Sequence, residues 1–332
     1  MQGDLVMRED VWAPFLGLCR QDLLYQSRVH LLQTFGTAAQ NVYLKREDES
    51  GFGTTGSKKR KIASLLAALI AGGYQEIGII GGPRSNHVVS LLQWVRESGM
   101  QPHLFLKASH SPAKGGNALL LELLAKKGEI RWLDGVEWKR AAQIAQADLD
   151  RLNGKAFIVP EGGYCAEAVP GLASLLMDIE RNEAALGERF DHICIDAGTG
   201  LTAAVLIWLN AWRKRQTHIS VILTAGTPES FLAVMQKTKQ WLAPYLKENL
   251  PQQIPEYGLY RSATAAAYGS VNAGIRKAVK RYAQTEGVLC DPIYTAKLLY
   301  TSEELLKGSV LQGSVLLIHN GGGTGLMGFD FS

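Results

Sequence analysis

Four places in this 332-residue chain put small, hydroxylated or basic residues directly after an apolar run, where chemistry is best placed. In an open α/β sheet, ligands sit beyond the C-terminal ends of strands. The first place is the loop GTTGS (53–57), which runs into Lys58-Lys59-Arg60-Lys61 and then the apolar stretch IASLLAALIAG. A loop opening a helix gathers free N–H groups and the positive end of the helix dipole, which favours an anion. Lys58 falls in the first turn. There the field disfavours its ammonium and favours the neutral amine, the form that adds to a carbonyl. The plainer reading is a solvated basic helix start.

The second place is GIIGGPRSNHVV, where Ser85, Asn86 and His87 follow a strand and a Gly-Gly-Pro turn. Ser85 suits a helix N-cap, and three hydrogen-bonding side chains crowd one strand exit. The third is DAGTGLTAAV. Here Gly198, Thr199, Gly200, Leu201 and Thr202 join a strand to a helix and form a phosphate nest. It is no Walker A loop, because no Gly-Lys-Ser/Thr follows. Ala203 breaks the G-x-G-x-x-G dinucleotide pattern, so a single phosphate fits better than a pyrophosphate. The fourth is the C-terminal pair DPIYTAK, with Tyr294 and Thr295, and IHNGGGTG, with Asn320.

The elements that must position these residues alternate. Apolar strand patterns at VYLKR (42–46), 76–80, HLFLKA, EIRWLDG, KAFIVP, DHICIDAG, HISVILTAG and SVLLIHNGGG are separated by helical segments. Among the latter are 58–71, 86–97, one near 136–150, LTAAVLIWLNAWRKR and one near 228–240. Strands spaced by helices of this length predict parallel α/β layering. At 332 residues, two domains are expected rather than one.

Composition narrows the function. An apolar content of 46% is globular, and the formal charge of +4 is too small a basic footprint for nucleic acid. No uncharged apolar run of membrane-spanning length occurs, and MQGDLVMREDVW has no apolar leader core, so a cytoplasmic location is the default. Cys19, Cys165, Cys194 and Cys290 form no CxxC pair, and the seven histidines show no HxH or HExxH spacing. Disulfide and metal chemistry are therefore not expected. No GxSxG elbow is present either.

Together, in order, YLKRED (43–48), GSKKRK (56–61), GGPRSNH (81–87), GGN (115–117), GTGLT (198–202), DPIYTAK (291–297) and HNGG (319–322) resemble one family. It is that of the 1-aminocyclopropane-1-carboxylate deaminases and D-cysteine desulfhydrases. The resemblance implies a two-domain tryptophan-synthase-β-like fold (fold type II), with parallel-rich twisted sheets flanked by helices. Residues 1–57 and 165–332 would form the larger domain and 58–164 a smaller inserted one. It implies pyridoxal 5'-phosphate as cofactor, bonded by Lys58 as the Schiff-base lysine, with Lys61 near the phosphate and Gly198 to Thr202 as phosphate loop. Asn86 would bond the ring oxygen, and Thr295 and Asn320 would lie toward the cofactor. Ser85, Asn86, His87 and Tyr294 would meet the substrate, a small amino acid. Tyr268 would be the second active-site tyrosine, with Tyr257 the competing assignment. A homodimer is implied too.

The same resemblance discriminates activities. The deaminases carry Glu after the D-P-x-Y tyrosine and S-N-Q earlier, whereas this chain has Thr295 and His87, as the desulfhydrases do. That favours α,β-elimination from D-cysteine, giving pyruvate, ammonia and hydrogen sulfide. Departures are Asn320, where the desulfhydrases have Thr, and the absence of the T-P-x segment near residue 28.

Overall fold

The computed structural model describes residues 9–35, 40–109, 115–246 and 250–331. The N-terminal stretch read above for a leader lies largely outside them. Among the described residues, ten strands form two sheets: β1 (Val29–Leu31), β2 (Asn41–Arg46), β3 (Glu76–Gly81), β4 (Gln101–Lys107), β5 (Ile130–Leu133), β6 (Ala156–Val159), β7 (His192–Ala197), β8 (His218–Leu223), β9 (Gly258–Arg261) and β10 (Ser314–His319). One sheet has the order β1-β2-β10-β7-β8-β9, the other β5-β4-β3-β6. Every pairing is parallel except β1 with β2. Helices cover both faces, which is why β7, β8 and β10 read as continuous apolar runs rather than alternating ones. This is the two-domain α/β fold of the tryptophan-synthase-β type.

The last strand makes the site. β10 inserts between β2 and β7, with His319 opposite Arg46 and Leu317 opposite Cys194. Three parallel strands thus end side by side. β2 exits toward the loop that opens helix Ser57–Ala71, β7 exits into Gly198, and β10 exits into Asn320. Residues far apart in sequence meet there because parallel strands deliver their C-terminal ends to one edge.

Helix Ser57–Ala71 is not a solvated basic start. Ser57, Arg60 and Lys61 are buried, and Lys58 is half-buried. A buried charge network anchors its first turns. The Arg60 guanidinium donates to Glu47 at 2.6 and 2.7 Å and to Asp178 at 2.7 Å. Lys45 Nζ donates to the same Asp178 oxygen at 2.7 Å and to Asn182 at 2.6 Å, while Ser27 Oγ donates to Glu47 at 2.6 Å. Helix Val169–Leu186 crosses at Gly171, where a Cβ would stand 1.9 Å from the Arg60 carbonyl oxygen.

Some elements depart from expectation. The helix expected near 136–150 breaks at Lys139-Arg140 into Gly135–Trp138 and Ala141–Leu149, the first turn being held by an Asp134 capping box. Short edge strands β1 and β9 lack a distinctive apolar pattern and emerge only through pairing. All four cysteines are free and buried, Cys194 in β7 as expected. Among the described residues no helix is long and apolar enough to cross a membrane.

Candidate active site

Gly56 sets the direction of Lys58. It precedes the helix at φ 62°, ψ −148°, and a Cβ there would lie 1.9 Å from the Asn320 carbonyl oxygen, so only glycine lets the two turns touch. Lys58 Nζ reaches Ser57 Oγ at 3.5 Å. Burial holds its amine below the usual lysine range, and the Asp196 and Asp291 carboxylates oppose that. A lysine held in this way gives up its proton to become the nucleophilic amine more readily than a free one.

The β7 exit is a tight glycine turn that opens a helix. Gly200 adopts the left-handed region at φ 86°, directly before helix Leu201–Trp212, and a Cβ there would strike the Phe231 ring. A Cβ on Gly162 would meet Thr199 Cγ2 at 2.5 Å, and one on Gly198 would meet the Tyr294 ring at 3.2 Å. Lys61 closes this corner, its Nζ donating to the Gly162 carbonyl at 2.8 Å. Burial, aided by Lys58, pushes Lys61 down to about 7. The corner offers helix-start N–H groups, the Thr199 and Thr202 hydroxyls and a cation that an anion would restore.

The β3 exit has a divided role. Ser85 does cap helix Asn86–Glu97, its Oγ accepting from Val88 N at 3.4 Å. Asn86 Oδ1 accepts from Asn117 Nδ2 at 2.7 Å, and Asn117 Oδ1 accepts from Thr324 Oγ1 at 2.6 Å. This chain of amides leaves the Asn86 amide N–H groups for another partner. His87 is buried with both ring nitrogens unpartnered, and Gly163 passes close to its ring, where a Cβ would lie 2.7 Å from Cε1. Burial, then Lys61 and Lys58, push its pKa well below the usual histidine value, so it offers one donor and one acceptor from a neutral ring.

At the C-terminal exits, Asp291 accepts from the backbone N–H groups of Ile293, Tyr294 and Thr295 at 2.9, 2.8 and 3.2 Å, fixing the start of helix Thr295–Lys307. Tyr294 and Tyr268 share a hydroxyl hydrogen bond at 3.2 Å. Tyr257 instead packs on Phe231, with ring centroids 5.5 Å apart. Thr295 Oγ1 lies 3.3 Å from His319 Nδ1, and Asn320 Nδ2 donates to Asp196 at 2.9 Å. Asn320 Oδ1 is buried with no partner.

The fold therefore brings Lys58, Lys61, Gly198 to Thr202, Tyr294, Thr295 and Asn320 around one strand edge, with His87 beside Lys61 and Tyr268 on Tyr294. Reasoning from the sequence missed Asp196, Asp291, Gly162, Gly163 and His319. The signal for Asp196 was present: a carboxylate as the penultimate residue of the apolar strand HICIDA, at a strand exit.

These residues fit pyridoxal phosphate. An amine held toward its neutral form, a glycine nest capped by a lysine, a neutral unpartnered imidazole and an unpartnered amide oxygen match its formyl group, phosphate and polar ring edge. Comparison with known proteins agrees. Residues 22–321 match the family described as pyridoxal-phosphate dependent enzyme, and the chain belongs to that family. It is 28% identical over 306 residues to the 1-aminocyclopropane-1-carboxylate deaminase of Rhizobium radiobacter, covering 88% of this chain and 89% of that one. To the deaminase of Pseudomonas syringae pv. tomato it is 28% identical over 309 residues, covering 88% and 89%. Among solved structures, an ACC deaminase homologue superposes with a TM-score of 0.83 over 97% of each chain at 23% identity, a likeness of fold. The protein is a pyridoxal-phosphate-dependent enzyme of the lyase and deaminase kind, related to the deaminases of 1-aminocyclopropane-1-carboxylate. The desulfhydrase expectation is thus less well supported than the deaminase it was set against.

Proposed function

We propose that the chain is a deaminase that converts a small α-amino acid to a 2-oxo acid and ammonia, with 1-aminocyclopropane-1-carboxylate the first substrate to test. The observation that carries this reading is the grouping of Lys58 and the Tyr294–Tyr268 pair about two shared carboxylates, since Asp196 and Asp291 act electrostatically on both Lys58 and Tyr294. In this reading Lys58 is the proton acceptor and Tyr294 the proton donor, both in the field of the same two carboxylates. The likeness to curated deaminases across most of the chain supports it.

In this reading pyridoxal phosphate supplies the electron sink. Lys58 would bond its formyl carbon, and the Lys58 amine, when free, would move a proton at the substrate carbon. Gly198, Thr199, Gly200, Leu201 and Thr202 hold the phosphate with Lys61. The Asn86 amide meets the ring oxygen, and Ser85 and His87 meet the substrate carboxylate. Burial pushes Tyr294 well above the usual tyrosine range, with the Tyr268 hydroxyl adding to this, so it keeps its proton for donation. We further propose that residues 58–164 form an inserted unit and that two copies of the chain associate.

A second reading, α,β-elimination from D-cysteine, is favoured by Thr295 and His87, which stand where the deaminases have Glu and Gln. One assay separates the two. Release of 2-oxobutyrate from 1-aminocyclopropane-1-carboxylate supports the first. Release of pyruvate and hydrogen sulfide from D-cysteine, with no 2-oxobutyrate, replaces it by the second. Release from neither overturns both.

A further inference from the structure

The hydrogen bonds around Thr295 and Asn320 leave each side chain with an acceptor oxygen to spare. His319 Nε2 lies 3.0 Å from the Leu289 carbonyl oxygen, which only accepts, so Nε2 carries the ring proton. Gly321 N–H donates to His319 Nδ1 at 3.3 Å, so Nδ1 is bare. The Thr295 hydroxyl, 3.3 Å from that same Nδ1, must donate to it. Its oxygen then has only lone pairs left to offer. Asn320 is fixed in the same sense. Its Nδ2 donates to the Asp196 carboxylate at 2.9 Å, which turns Oδ1 away as an acceptor, and that oxygen is buried without a partner. An unpartnered buried acceptor is costly, about 1–3 kcal/mol, and calls for a donor from a ligand.

Pyridoxal phosphate carries its formyl carbon and its ring nitrogen at opposite ends of the ring. With the formyl end at Lys58 and the phosphate at 198–202, the ring nitrogen is the group left for Asn320 and Thr295. We propose that Asp196 and Asn320 act as a relay that holds this ring nitrogen protonated, Asp196 orienting and polarising the amide and Asn320 Oδ1 accepting the ring N–H. The relay rests on the site reading proposed above. A carboxylate one amide removed supplies the charge that Thr295 does not, so the chain has a strong electron sink without a glutamate at position 295. Hydrogen bonds in series reinforce one another, which makes Oδ1 a better acceptor than an isolated amide. Burial pushes Asp196 up to about 6, the Asn320 bond and the Lys58 charge opposing this, so above that pH it is ionised and able to accept from Asn320. Asp196 and Asn320 are positioning residues for the cofactor.

The test is holoenzyme reconstituted with pyridoxal phosphate bearing nitrogen-15 in the ring, read by NMR above about pH 7, where Asp196 is ionised. The expected resonance is that of a protonated ring nitrogen. Asp196→Asn keeps the volume and removes the charge, and is expected to move the resonance to the unprotonated position. Asn320→Asp puts a carboxylate directly at the ring and is expected to keep the protonated one. Thermal unfolding and cofactor content establish that each variant is folded and loaded. An unprotonated nitrogen in the wild type overturns the proposal, as does a resonance unmoved in Asp196→Asn. Borohydride reduction with peptide mapping separates the two levels. Attachment at a lysine other than Lys58 overturns the site reading and the relay with it. Attachment at Lys58 with an unprotonated ring overturns the relay alone.

Discussion

Lys58 owes its chemistry to its surroundings more than to its own side chain. Four cations fill residues 58–61, yet Lys59 donates to the Ser50 carbonyl, Arg60 is tied to Glu47 and Asp178, and Lys61 bonds the Gly162 carbonyl. Lys58 has only the long contact to Ser57. Lys58→Ala is therefore expected to abolish the absorbance band of lysine-bound cofactor and to lower kcat by about 10³-fold, while the melting temperature stays near wild type. Retention of both band and rate would sink the assignment. Tyr268→Phe removes the hydroxyl that bonds Tyr294 and is expected to lower kcat by about tenfold with cofactor content unchanged. If KM alone moves, the tyrosine pair binds substrate without moving protons. Lys58, the 198–202 nest and the residues after each strand were legible in the sequence because glycines and hydroxyls at strand exits have a local meaning. Asp196 and His319 were not. A carboxylate or imidazole ending an apolar strand gains its role only when another strand brings its partner, and those partners lie 124 and 24 residues away.

Helices and strands were legible where a period or a cap was strong. Helix Asn86–Glu97 begins where Ser85 caps it and ends as expected. The insertion of β10 between β2 and β7 was not legible, because a buried parallel strand carries no sign of its neighbours. Nor was the crossing of helices Ser57–Ala71 and Val169–Leu186 at Gly171. Here two effects compete. Alanine would gain up to about 1 kcal/mol in helix propensity. Its Cβ would also lie 1.9 Å from the Arg60 backbone oxygen, which no side-chain rotation relieves. Pushing the helices apart costs about 1–3 kcal/mol, so the contact wins. Gly171→Ala should lower the melting temperature and, by displacing the turn that carries Lys58, lower kcat as well. A variant more stable than wild type would show that propensity decides.

At the scale of the whole molecule, buried ionisable groups tie stability to pH. Glu47 is fully buried, which alone would raise its pKa, but the Arg60 guanidinium more than offsets this and holds it at about 2 against 4.5 for a free carboxyl. A carboxyl whose folded pKa lies below its unfolded one stabilises the fold above the unfolded value and ceases to do so as pH falls through the folded one. Glu47 therefore contributes about 3 kcal/mol near neutral pH, lost progressively below about 4.5. His87 acts in the same direction at higher pH. Burial, with Lys61 and Lys58, holds it neutral well below 6.5, so the unfolded chain takes up its proton first and stability falls as pH drops past that value. Urea unfolding of the cofactor-free protein from about pH 8 to about pH 3 should show two falling limbs. His87→Gln should make the upper limb shallower below about 6.5, with Lys61, held down to about 7, still supplying the fall above it, and should leave the lower limb. Glu47→Gln should lower stability at neutral pH by about 3–5 kcal/mol, because Arg60 then loses its carboxylate, and should flatten the lower limb. If Glu47→Gln leaves the acid limb as steep as in the wild type, the buried network beneath Lys58 is not what couples this fold to pH.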